Sequence, residues 1–466
     1  MEEMDTDVVV IGSGPSGQRA AIQAAKLGAS VVIVEKDAEP GGACLHSGTI
    51  PSKSLREAIL NLTDFYSKSF YGGNGPDRRD ISISDLNFCL SRVLVRQTEM
   101  LKEQFARNGV GLIRGTARFE NHRRVAVQTD EEDEWRLING KKMIIATGSK
   151  PRRPVSIPFD DEAILDSTRL LSIDRIPKDM IVLGGGIIGA EYASFFAALG
   201  TQVTVIDKGE RLLRWLDEEI GTEFQGALGR IGLRFIGCQE IDSVTRAEKR
   251  TKVSLKGGVH KESDVVFCAL GRVADVERLH IENAGVSLDE KGYIPVNALF
   301  QTRIPNIYAV GDVIGGPSLA STGFEQGRLA ARHALGVETH HFPSLYPVGI
   351  YTIPEISSCG YTEVGLKTLG FSYEVGRAYY RDIAKNSIAG NDPGMFKILF
   401  HADTLEVLGV HIIGRDATEL IHIGQVAMTF HAKIDYFIDQ VFNYPTYAEG
   451  YRIAALNGLN KVRHKR

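Results

Sequence analysis

The chain has 466 residues, more than one hydrophobic core encloses, so two to four domains are expected. Hydrophobic residues make up 43% and charged ones 24%, the balance of a soluble globular protein, and a net charge of −4 leaves no basic footprint for nucleic acid. No run approaches the roughly 18–20 apolar residues a membrane span needs, and the acidic start MEEMDTD reads as neither signal nor transit peptide.

Residues 7–11, DVVVI, form a continuous apolar run of the kind that fills a parallel strand buried on both faces. Gly12, Gly14 and Gly17 follow, with Pro15 where a helix would start. That helix carries Ala20, Ala21, Ala24, Ala25 and Leu27 and stops at Gly28. A second strand, SVVIVE, ends at Glu35. Strand, glycine turn, helix, strand and acid make a dinucleotide-binding unit: the turn takes a pyrophosphate and the acid a ribose diol. The next segment, GGACLHSGTIPSK from Gly41 to Lys53, lets the backbone run close to a flat ligand at Gly41 and Gly42. Pro51 opens a helix whose first turn holds Lys53 and whose apolar face is Leu55, Ile59 and Leu62. Residues 54–106 read as two helices joined by the polar loop GGNGPDRRD, and 109–149 as short strands with a solvated turn at Asp130–Glu134. The stretch KKMIIATGS closes this part with Thr147 and Gly148.

A second fingerprint starts at Met180. Strand MIVLGG leads to Gly184, Gly186 and Gly189, with Ile187 at the head of a helix, then a strand ending at Asp207. Two copies imply two nucleotides held by one chain. Asp207 stands where an acid bonds an adenosine ribose and repels a 2′-phosphate, which favours NAD. Lys208 and Arg211 could neutralise such a phosphate, so NAD alone and NAD with NADP both stay open. DVVFCALGR closes this section at Gly271 and Arg272, and IPNIYAVGDV brings Gly311 and Asp312 to a tight turn. A helix begins near Ser321, and from about Pro347 the chain is α+β. His411 and His422 lie in apolar runs and read as core histidines. The five cysteines, Cys44, Cys89, Cys238, Cys268 and Cys359, are scattered, which suits a reducing, cytoplasmic compartment and gives no metal-ligand spacing.

GGACLHSGTIPSK resembles the redox-active segment of the pyridine nucleotide-disulfide oxidoreductase family, Gly-Gly-x-Cys-x-x-x-x-Cys-x-x-x-Lys, with Thr49 at the second cysteine position. The resemblance covers essentially the whole chain. It implies an α/β fold with two Rossmann-like domains, the second inserted in the first. FAD would bind in 1–152 and 275–346, NAD(P) in 153–274, and 347–466 would be an α+β dimerisation domain of a homodimer. It implies cofactor contacts at Gly12, Gly14, Pro15, Gly17, Glu35, Gly42, Cys44, Lys53, Thr147, Gly148, Gly184, Gly186, Ile187, Gly189, Asp207, Gly271, Gly311 and Asp312, the last on the ribityl chain. The family's His-Pro-x-x-x-Glu is here Tyr444-Pro445-Thr446-Tyr447-Ala448-Glu449. With neither the second cysteine nor the histidine, dithiol exchange is not expected, since a tyrosine of pKa about 10 is a poor proton shuttle.

The runs from Cys44 to Lys53, Phe442 to Thr446 and Ile350 to Ser358 resemble a branch of the family without the disulfide. That implies FAD-dependent, ping-pong hydride transfer between NAD(H) and NADP(H), with Lys53 beside the flavin and Glu191 paired with it. Two rivals are an NADH-dependent diaphorase or quinone reductase and a non-enzymatic redox-sensing flavoprotein. On the plainer reading Cys44 packs under a ring, His46 makes a structural hydrogen bond, and Tyr444 packs at a dimer interface.

Overall fold

The computed structural model describes residues 3–63, 81–129, 135–247, 250–390 and 392–465. The GGNGPDRRD loop and the Asp130–Glu134 turn lie outside them. The chain divides into two compact units. One comprises Met1–Ser54, Asn87–Arg152 and Gly271–Pro343; the other comprises Leu55–Leu86, Arg153–Leu270 and Ser344–Arg466.

In the first unit, β1 (Glu3–Ile11), α1 (Pro15–Lys26) and β2 (Val31–Glu35) follow the order read from the sequence. The parallel core of the sheet runs Gly111–Arg114, β2, β1, Trp135–Ile145, with Ile307–Ala309 beside the end of that last strand. An antiparallel hairpin, Thr116–Asn121 and Arg124–Gln128, extends it. Val8, Val9 and Val10 are all 0% exposed. Val8 and Val10 pack with Ala20, Ala21 and Leu329, and Val9 with Phe119 and Val125, so both faces of β1 are covered. That is why its apolar run is unbroken. β1 starts four residues before that run because Glu3–Thr6 pair with Leu137–Gly140.

In the second unit, β3 (Asp179–Leu183), α2 (Ile187–Ala198) and β4 (Gln202–Ile206) repeat the pattern. The parallel sheet runs Arg234–Ile236, β4, β3, Val265–Cys268, Ile164–Leu165. Every residue of α2 from Gly189 to Ala198 is buried. Its polar groups are met by backbone: Tyr351 N donates to Glu191 Oε1 at 2.9 Å and Ile353 N to Ser194 Oγ at 3.1 Å.

Beyond residue 344 an antiparallel sheet runs Val348–Ile350, Ile356–Gly360, Val407–Ile413, Met395–His401, Tyr373–Tyr379. One face packs through Phe396, Phe400 and Val410 against Ile421, Tyr451 and Ala454 of the helices Ala417–Thr429 and Glu449–Lys465. On the sheet's central strand, Lys397 is buried among carboxylates. Its ammonium lies 2.7 Å from Asp217 and 3.0 Å from Glu219, and also bonds Glu363. Burial would lower the lysine's pKa, but these hydrogen bonds hold it above its usual value. The three acids are close enough to hold a cation, and the cation they hold is Lys397. Asp217 also caps α3 (Glu218–Arg230) by accepting from Glu219 N.

His411 is a core residue, with Nε2 2.8 Å from the Tyr361 carbonyl. His422 is not: it is exposed, with Nδ1 2.9 Å from Gln425 Oε1, because each helical residue turns about 100° and Ile421 takes the inward position. Among the described residues no helix is long and apolar enough to cross a membrane.

Candidate nucleotide and cofactor sites

The turn after β1 is set by backbone contact. A Cβ on Gly12, at φ +101°, would stand 2.4 Å from the Ala146 carbonyl oxygen, and one on Gly17 only 1.9 Å from that of Gly12. Gly14 precedes α1 with no side-chain cap, and Pro15 is its first residue, so the remaining first-turn N–H groups stay open to a ligand anion. Glu35 is 6% exposed. Its Oε2 accepts from Ser13 N at 2.9 Å and from the Ser13 hydroxyl, and its Oε1 from Asp37 N at 2.9 Å. Ser13 Oγ in turn accepts from Gly41 N at 2.8 Å, tying the turn to the next segment.

That segment begins with a short helix, Gly42–His46, which the sequence did not announce, and continues as Thr49–Leu62, two residues ahead of Pro51. A Cβ on Gly42 would come 2.9 Å from Gly14 Cα. Burial pushes the Cys44 thiol above its ordinary pKa, opposed by a hydrogen bond with Thr49 and the charge of Lys53; Asp312 adds to the rise. Cys44 is therefore a neutral thiol. Lys53 Nζ donates to Ser52 Oγ at 3.2 Å, and His46 Nε2 lies 2.9 Å from the Pro40 carbonyl, the structural bond expected for it.

Asp312 is held by residues the sequence did not single out. Ser149 Oγ donates to its Oδ2 at 2.6 Å, and Arg272 donates to Ser149 Oγ at 2.7 Å and to Ser149 O at 2.6 Å. Gln326 Oε1 accepts from Gly311 N at 2.8 Å. Gly148, Gly271 and Gly311 all have positive φ, which only glycine adopts without strain. Thr147 Oγ1 is buried with no hydrogen-bond partner, and Thr147 Cα is 3.2 Å from where a Gly12 side chain would begin. A buried hydroxyl beside an open phosphate-type turn is satisfied when a polar ligand binds there. Glu35, Thr147, Lys53 and Asp312 together fit a flavin dinucleotide.

The turn after β3 repeats this geometry. A Cβ on Gly184, at φ +107°, would be 2.4 Å from the Ala269 carbonyl oxygen, and one on Gly189 2.0 Å from that of Gly184. Gly186 precedes α2 and Ile187 is its first residue. Asp207 Oδ2 accepts from Gly185 N and its Oδ1 from Gly209 N, both at 2.6 Å. Glu191, on the same helix, is 3% exposed. It belongs to the second unit and Lys53 to the first.

The family profile for pyridine nucleotide-disulphide oxidoreductases matches residues 6–327, and the profile of the corresponding dimerisation domain matches residues 346–455. The chain belongs to the pyridine nucleotide-disulphide oxidoreductase family. Relatives within it include soluble pyridine nucleotide transhydrogenases. One from Mycobacterium bovis is 44% identical over 98% of this chain and 98% of its own; one from Pectobacterium atrosepticum is 40% identical over 99% of each. Among solved structures, the HOCl-induced flavoprotein disulfide reductase RclA of Escherichia coli is 26% identical, with a TM-score of 0.86 over 97% of this chain and 99% of that one. LpdA of Mycobacterium tuberculosis, 24% identical with a TM-score of 0.89 over 98% of this chain and 99% of that one, shares the fold. Within the stretch that matches the family's dimerisation domain, Phe430 is 78%, Val441 93% and Tyr444 73% exposed, apolar surface of the kind an interface covers.

Proposed function

We propose that this chain is an FAD-dependent enzyme that passes hydride between NAD(H) and NADP(H) without a redox-active disulfide. One observation carries the reading: both nucleotide turns keep their backbone geometry, while Cys44 is a neutral thiol bonded to Thr49 in place of a second cysteine. The relatives named for this reaction support it. FAD, when bound, supplies a two-electron acceptor that returns its hydride to a second nicotinamide. Gly12, Gly14, Pro15, Gly17, Glu35, Gly42, Thr147, Gly148, Gly311 and Asp312 would hold it, within a domain of 1–152 and 275–346. Lys53 would balance negative charge near its ring. Gly184, Gly186, Ile187, Gly189 and Asp207, in an inserted domain of 153–274, would bind either nicotinamide nucleotide, and Glu191 would sit at the reacting end. One coenzyme turn serves both nucleotides, so the first leaves before the second enters, which is ping-pong order. Residues 347–466 would form a homodimer, in the cytoplasm and without nucleic acid.

Steady-state turnover of each reduced nucleotide against each oxidised one, including thio-NAD⁺, tests this. NADPH should reduce thio-NAD⁺ with parallel double-reciprocal lines, and dihydrolipoamide should give no turnover. NADPH that stays inert while NADH reduces quinones would replace the reading with a diaphorase.

A further inference from the structure

Resting on that reading, one question stays open at the coenzyme turn: how a site closed by an acid admits a 2′-phosphate. Asp207 cannot swing away, because both of its oxygens accept backbone N–H groups at 2.6 Å. A phosphate beside it needs a cation close by. The two cations nearest in sequence are turned elsewhere. Arg211 donates from Nη2 to the Arg214 carbonyl at 3.1 Å, and its Nη1 lies 3.9 Å from where a Gly221 side chain would begin, on α3. Lys208 is exposed and acts on Glu240, the partner of Lys256.

Arg214 differs from both. Its stem and head cross Gly209: a Cβ there would be 2.6 Å from Arg214 Cδ, 2.8 Å from Arg214 Nε and 2.9 Å from Asp207 Oδ1. The guanidinium thus begins beside the carboxylate in the gap that glycine leaves. Arg214 is exposed, and among the described residues it makes no ion pair. We infer that Arg214 is the specificity-determining residue that admits the 2′-phosphate of NADP(H), with Gly209 supplying the room for it. A guanidinium also matches a phosphate with paired donors, which an ammonium does not.

Calorimetric titration of the full-length, flavin-loaded protein with 2′,5′-ADP and with 5′-ADP tests this apart from catalysis. R214A should weaken 2′,5′-ADP by roughly tenfold or more, the loss of a charge-assisted contact, and 5′-ADP by less than about twofold. G209A, which displaces the stem, should show the same selectivity, and R214K should recover part of it. K208A and R211A should each cost less than about threefold. An equal loss of both ligands in R214A, no loss, or a larger selective loss in K208A or R211A overturns the assignment. If the unaltered protein binds 5′-ADP but not 2′,5′-ADP, the interconversion of NAD(H) and NADP(H) falls with it. If the unaltered protein binds both and R214A changes neither, only the role of Arg214 falls.

Discussion

At the end of β2, Glu35 is buried, bonded by Ser13 and Asp37, and tied through Ser13 to Gly41. At the end of β4, Asp207 makes the equivalent backbone bonds to Gly185 and Gly209 but is half exposed, with Lys208, Arg211 and Arg214 following. The glycine contacts match almost atom for atom: 2.4 Å to a crossing carbonyl in both turns, then 1.9 and 2.0 Å. What differs is what encloses each turn. Around α1, a Cβ on Gly327 would come 2.0 Å from the Ser16 carbonyl oxygen and one on Gly311 2.2 Å from Ser16 Oγ, so the backbone is packed in close from several segments. A turn walled in this way suits a ligand that stays. A half-exposed acid with flanking cations suits one that exchanges. The same local pattern can therefore serve a resident cofactor and a passing substrate, the difference lying in the surrounding packing.

The sharpest way to break the comparison is to fill both turns. Gly12→Ala and Gly184→Ala each place a methyl against a backbone carbonyl at positive φ, a strain on the order of 1–3 kcal/mol before the clash is counted. Gly12→Ala should yield protein almost without FAD. Gly184→Ala should keep a full yellow cofactor and lose reduction by NAD(P)H. Absorbance stoichiometry and stopped-flow bleaching read the two, and loss of FAD from Gly184→Ala would show that the turns are not independent. A smaller effect sharpens the reading of the first turn. Thr147→Val removes a buried hydroxyl without a partner. FAD should dissociate about five- to tenfold more readily, a loss near 1 kcal/mol, while the flavin-free protein melts no lower, since an unsatisfied group has gone. A lower melting point without FAD would mean that Thr147 is bonded within the protein.

The smallest effect concerns Cys44. Its pKa is raised, so the folded state keeps the proton longer than the unfolded chain does. Its contribution to stability is complete below the ordinary thiol pKa and is lost as pH rises through the raised value. Alkylation of Cys44 in the folded protein should be slow at pH 8 and still accelerating above pH 9, and Cys44→Ser should change turnover by less than about twofold. An alkylation profile that levels off below pH 8 would restore a thiolate and a redox role.

Much of this architecture was legible because its signals are local. Glycine spacing, an apolar run and a terminal acid lie within a few dozen residues, and periodicity reads them directly. Tyr373–Tyr379 escaped that reading. It is a strand carrying Glu374 and Arg377, and its Gly376 is required because a Cβ would meet the Ala454 carbonyl oxygen at 2.1 Å, a contact no local pattern shows. MFKILF read as a strand, but nothing in it tells that Lys397 would be buried, because its partners Asp217, Glu219 and Glu363 come from elsewhere in the chain.

By itself the sequence determined two nucleotide turns, their order, the closing acids and a thiol without a second cysteine, since each depends on neighbours along the chain. Only the tertiary structure decided which side chains brace those turns. Ser149 reaches Asp312 across 163 positions, and Arg214 rather than the nearer Lys208 or Arg211 crosses Gly209 beside Asp207. Such partners are chosen by where packing brings the backbone, and the energy that selects them is realised only when distant segments meet.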